Sequence, residues 1–204
     1  MRVTKAAVSI VMKPPRAQSQ TLWSEHAWRR AGGVCRRGAV LAVLAWVAGL
    51  IALAGDLRAQ LRVGDPMPAL GEFSLEGELA ATPTQGRVVV LDFWASWCAP
   101  CKASFPLLGA LQREWGPEGV TVIGVSVDEK KSAYEAFLSR QQPPFVTVRD
   151  AQQRLVKRVR VPKMPTTYLI DRKGVVRFVH EGFQGDATER SLRAHVRQLL
   201  DEAP

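Results

Sequence analysis

The chain predicts an α/β sandwich preceded by a hydrophobic leader. Three observations carry this: apolar, β-branched runs alternate with helical segments from Val88 to about Arg158, two short apolar runs then flank a single turn, and an amphipathic stretch closes the chain. Taken in order, residues 64–79 are rich in Gly and Pro and predict turns with a short hairpin ahead of the core. Val88–Trp94 (Val-Val-Val-Leu-Asp-Phe-Trp) predicts a buried strand, and Ala99–Trp115 a helix that Pro106 should kink. Residues 120–127 predict a second strand, 131–140 a helix, 145–148 a strand and 151–158 a short helix. Residues 167–170 and 175–180 flank Asp171-Arg-Lys-Gly174 and predict a hairpin, after which 186–200 form the final helix.

Residues 39–55 run without a charge and follow Arg29, Arg30, Arg36 and Arg37, which is a positive-inside export pattern. Their length sits at the lower limit of a spanning helix, about 17–25 residues, and above the usual signal-peptide core of about 7–15. Two readings stay open: a retained anchor on the outer face of a cytoplasmic membrane, or a signal peptide cut after Ala54 or Ala59. A buried core helix would carry a polar stripe, and this segment has none. The chain therefore divides into a leader, 1–60, and one globular domain, 61–204, long enough for a single core. Of the net charge of +9, the leader supplies nine basic against two acidic groups, and the domain nineteen against seventeen. The basic balance thus belongs to targeting and argues against a nucleic-acid partner. The cluster Lys157-Arg158-Val159-Arg160 reads as a solvated helix end. Cys35 precedes the apolar run and reads as a spectator, in the wrong place for a lipid-anchored cysteine.

Cys98 and Cys101 stand three apart where the first predicted strand turns into the first predicted helix. That setting suits reversible thiol–disulfide exchange. At a helix N-terminus, unpaired amides and the dipole favour a thiolate, so Cys98 is the candidate nucleophile. Cys101, one turn on, is the candidate resolving thiol. A structural zinc would need about four ligands, and Cys35, His26, His180 and His195 offer no second close pair. A purely structural bridge would close a loop too short to restrict the unfolded chain much. Asp92 is the lone charge in its strand, and desolvation there would raise its pKa and suit it to proton exchange with a thiol. His180 and His195 lie far from the cysteines in sequence and read as bystanders. Trp94 and Trp97 read as packing and shielding groups around the thiols, with Trp97 also a candidate substrate contact.

The motif Trp97-Cys-Ala-Pro-Cys-Lys102, the upstream Asp92 and the segment Met164-Pro-Thr-Thr-Tyr-Leu-Ile-Asp-Arg-Lys-Gly174 together resemble the thioredoxin superfamily, most of all its TlpA/ResA-type exported disulfide reductases. The resemblance covers residues 61–200. It implies a thioredoxin-like three-layer sandwich in which the strand–helix–strand unit between Val120 and Val148 is an insertion. It further implies a cis Pro165 lying against the sulfurs, with Met164, Pro165 and Thr166 contacting substrate through backbone groups. Many such reductases carry a glutamate three residues after the second cysteine. Here Ser104 stands there, which shifts proton handling onto Asp92, and residues 122–127 offer no partner lysine.

The implied activity is reduction of oxidised cysteines in periplasmic proteins by a monomeric enzyme without an organic cofactor or metal. A transmembrane thiol carrier would be the electron donor, and apocytochrome c or a metal-site assembly protein the client. Two other classes stay open. A peroxiredoxin-like peroxidase shares the inserted fold but normally sets its cysteine in Thr/Ser-x-x-Cys, whereas Ala95 stands at that position here. A non-catalytic module could instead hold a soft ion on the cysteine pair.

Overall fold

The structure is a computed structural model that describes residues 60–202. The leader, Cys35 and His26 lie outside them. Five strands form one sheet: β1 (Val88–Trp94), β2 (Val120–Ser126), β3 (Val146–Arg149), β4 (Thr166–Ile170) and β5 (Val176–Glu181). Four helices accompany them: α1 (Ala99–Trp115), α2 (Lys131–Gln141), α3 (Arg154–Val159) and α4 (Asp186–Asp201). The strand order is β3-β2-β1-β4-β5, with β1, β2 and β3 mutually parallel and β4 and β5 antiparallel to their neighbours. The predicted strand–helix–strand unit is therefore β2–α2–β3, and it builds one edge of the sheet.

Strand alternation divides β1 into two faces. Asp92 and Trp94 point to one side. There Trp94 meets Phe105 of α1 at 4.7 Å and Phe137 of α2 at 4.8 Å. On the same side Phe178 of β5 stacks on His195 of α4 at 3.8 Å. α4 joins α1 there, with Arg193 paired to Glu114 and the guanidiniums of Arg193 and Arg197 lying 5.6 and 5.3 Å from the centre of the Trp115 ring. On the other side, Val89 and Ile170 floor a cavity of about 650 Å³ walled by residues of the segment before β1, among them Phe73 and Leu75. Sheet, helical layer and covering segment are the three layers of a thioredoxin-like sandwich.

Two boundaries depart from the sequence pattern, each for a local reason. The segment 64–79 makes no hairpin. Its two halves bridge to distant residues instead, Pro66 opposite Val175 and Glu76 opposite Arg149; a single 3-10 turn, Leu70–Glu72, lies between them and a second, Leu79–Ala81, follows. α3 starts three residues later than predicted, because the Asp150 carboxylate accepts the amides of Arg154 and Val156 at 3.0 and 2.9 Å. α1 continues past Pro106 to Trp115, with Phe105, Leu107 and Leu108 buried on either side of the proline. Among the described residues, no helix is long and apolar enough to cross a membrane.

Candidate active site

The end of β1 and the start of α1 bring the cysteines together. Cys98 is the N-cap of α1, in extended conformation, and Pro100 occupies the first turn, where its missing amide needs no partner. Cys98 and Cys101 are joined as a disulfide with their Cα atoms 5.3 Å apart. The Cys98 Sγ also accepts the Cys101 amide at 3.2 Å, so the sulfur takes the place that a Ser or Asp oxygen usually holds at a helix start. Cys98 is 5 % exposed and Cys101 fully buried. The helix N-terminus therefore acts directly on Cys98, while Cys101 is shielded from solvent.

Asp92 is fully buried on the sheet face that α1 covers. Its Oδ1 accepts the Thr167 hydroxyl at 2.7 Å, and its Oδ2 has no hydrogen-bond partner. Burial pushes its pKa up to about 7, against the opposing pull of the Thr167 hydroxyl. Two other aspartates are nearly as buried, and their oxygens are engaged differently. Asp150 caps α3, whereas Asp128 accepts the Ser96 amide at 2.9 Å, the Ser96 hydroxyl at 2.8 Å and the Ser126 hydroxyl at 2.8 Å. Among these three buried aspartates, only Asp92 keeps an oxygen without a partner. Ser104 is buried and donates its hydroxyl to the Cys101 carbonyl at 2.8 Å, so no acid stands at that turn of α1.

The Met164–Pro165 peptide bond is cis. Pro165 is buried and its carbonyl accepts the Gly182 amide at 2.7 Å. Thr166 is fully buried with its hydroxyl donated to the Lys163 carbonyl, so it offers a client no side chain. Met164 and Trp97 line one groove of about 510 Å³, together with Val127, Lys130, Ala133 and Val156. Trp97 is 68 % exposed, whereas Trp94 is fully buried. Trp94 packs among Phe105, Tyr134 and Phe137. Asp128, absent from the sequence reading, ties the active-site turn to the end of β2. Behind it, Arg149 donates to the Asp128 and Glu129 carbonyls and pairs with Glu76 at 2.7 Å. The available signal was position: Asp128 follows the carboxyl end of a parallel strand, where sites in open sheets gather. His180 and His195 contact each other at 3.1 Å between Nε2 and Nδ1. Burial first, then His195, drives His180 down to about 4.

A disulfide-forming pair at the helix start of a thioredoxin-like sandwich defines a thiol–disulfide oxidoreductase. Residues 63–179 match the AhpC/TSA family, and the chain belongs to it. It is 32 % identical over 138 residues to the thiol-disulfide oxidoreductase ResA of Geobacillus thermodenitrificans, covering 67 % of this chain and 78 % of that protein. The structure superposes with TM-score 0.63 and 34 % identity on a Chlorobium tepidum protein described as a thiol:disulfide interchange protein DsbE, covering 69 % of this chain and 99 % of that one. A secreted Mycobacterium tuberculosis disulfide oxidoreductase is similar at TM-score 0.50 and 25 % identity, over 57 % of this chain and 84 % of that one.

Proposed function

We propose that this oxidoreductase is an exported reductant of protein disulfides, with residues 61–204 as its catalytic domain and 1–60 as its leader. The observation that carries the reading is the pairing of an N-cap cysteine, bonded to a buried partner one turn on, with a buried carboxylate on the sheet face beneath that helix. In the forward cycle the Cys98 thiolate attacks one sulfur of a client disulfide, and the other client sulfur leaves as a thiolate. The Cys101 thiol then gives its proton to Asp92 and attacks the Cys98 sulfur, which releases the client's second thiolate and leaves the Cys98–Cys101 disulfide. Two electrons pass to the client. Trp97 and Met164 hold the client chain in their shared groove, and the backbone beside Pro165 and Thr166 aligns it.

Export is supported by the charge pattern around residues 39–55 and by the secreted mycobacterial relative. A bacterial periplasm is held oxidising, so the cycle there draws on a transmembrane thiol carrier for electrons. Clients of the reading are periplasmic proteins with oxidised cysteine pairs, such as apocytochrome c or metal-site assembly proteins, met by a monomer. A redox titration of the Cys98–Cys101 couple against glutathione or dithiothreitol buffers tests it. A midpoint near about −270 mV supports a reductant, and one near about −120 mV replaces that role with oxidation.

A further inference from the structure

Asp92, Thr167 and His180 stand directly across from one another on β1, β4 and β5. The strand register puts all three on the helical face of the sheet. We propose that Thr167 is a positioning residue for proton transfer: by donating its hydroxyl to Oδ1 of Asp92, it leaves Oδ2 as the atom that takes the Cys101 proton and later returns it. The inference rests on the reading of Asp92 as proton acceptor and names the atom that does the work. In the step itself the Cys101 S–H bond breaks, an O–H bond forms on Oδ2, and the freed electron pair stays on sulfur to attack Cys98.

The geometry supports this at three points. The Thr167–Asp92 bond is short, at 2.7 Å, and both residues are shut off from solvent, Asp92 fully and Thr167 to within 6 %. Oδ2, with no donor, is the oxygen that gains most from protonation, since a buried anionic oxygen without a partner is costly. The neighbouring elements add few charges: β2 places Gly124 opposite Asp92, β5 places His180 opposite Thr167, α4 contributes His195 behind it, and α1 contributes the cysteines. His180, pushed down to about 4, stays neutral across the pH range in which Asp92 titrates.

The test uses the full chain with Thr167→Val and Thr167→Ser. Two quantities are read: the Asp92 carboxyl titration by carbon-13 NMR, assigned with Asp92→Asn, and the pH profile of insulin disulfide reduction. Loss of a hydrogen bond to the carboxylate should raise the Asp92 midpoint by about one pH unit in the Val variant, a tenfold change in its acid constant. The rising limb of the rate profile should move up with it, and Ser should restore both. Should the Val variant not fold, Thr167→Ala carries the same expectation. A carboxyl midpoint that falls or stays overturns the assignment, a fall meaning that Thr167 accepts a proton from the acid. A wild-type rate profile without that limb, beside a carboxyl midpoint that still rises in the variant, overturns instead the reading of Asp92 as proton acceptor.

Discussion

At Asp92 the chain tolerates a carboxylate in a place where burial penalises the ionised form. The folded pKa is raised to about 7 from 3.8, so the folded state holds its proton over a range in which the unfolded chain has lost it. Stability therefore falls as pH rises from about 4 to 7 and levels off above that. Asp92→Asn should leave stability at pH 4 nearly unchanged and raise it at pH 8, by an upper limit on the order of 4 kcal/mol. Denaturant titrations at the two pH values check this, and a gain of equal size at both would show that charge is not the cause. The same variant should slow disulfide reduction near neutral pH by about 10- to 100-fold. The cysteines divide their roles by burial and by place on the helix. Cys101→Ser should trap mixed disulfides with client proteins on non-reducing gels, and Cys98→Ser should trap none. Equal trapping by both, or more by Cys98→Ser, would overturn the assignment of nucleophile and resolver.

Between elements, the site depends on loops that the sheet holds in register. Asp128 collects three donors from Ser96 and Ser126, and Ser96 lies two residues before Cys98. Asp128→Ala should leave those buried and half-buried donors without their acceptor at a cost of about 1–3 kcal/mol and slow reduction by about tenfold through a displaced Cys98. Stopped-flow reduction and thermal unfolding on one preparation separate the two effects, and an unchanged rate would confine Asp128 to stability. Gly124 on β2 shows a tighter constraint. A methyl group there would lie 3.0 Å from Trp94 Nε1 and 3.3 Å from the Phe145 ring. Gly124→Ala should cost about 1–3 kcal/mol by overpacking, read as a lower denaturant midpoint at unchanged slope.

For the whole molecule, the net charge is uneven along the chain: residues 1–60 carry +7 of the +9, and residues 61–204 are nearly balanced. A reporter active only after export, fused behind Pro204, should be active. It should lose activity when Arg29, Arg30, Arg36 and Arg37 become Glu. Fractionation then distinguishes the leader readings, full-length chain in the membrane pellet for an anchor, or a soluble form beginning near Gly55 or Gln60 for cleavage. A reporter that works only in the cytoplasm would remove the proposed membrane electron donor.

What the sequence by itself determined is local. The strands are written in short apolar, β-branched runs, the helices in helical periodicity and the cysteine pair in a spacing of three, and the isolation of Asp92 is visible within one strand. What only the tertiary structure decided joins residues far apart in the chain: Thr167 with Asp92 across 75 positions, Asp128 with Ser96 across 32, and Arg149 with Glu76 across 73. The fate of residues 64–79 belongs with these. Their Gly and Pro content announced turns, and local turns form, yet the two halves bridge to β3 and to Val175 beside β5 instead of pairing as a hairpin. Local patterns report which residues are apolar and how the backbone repeats. The choice of partner for a buried polar atom is made by the tertiary fold, because burial favours pairing and the fold decides which groups lie within reach.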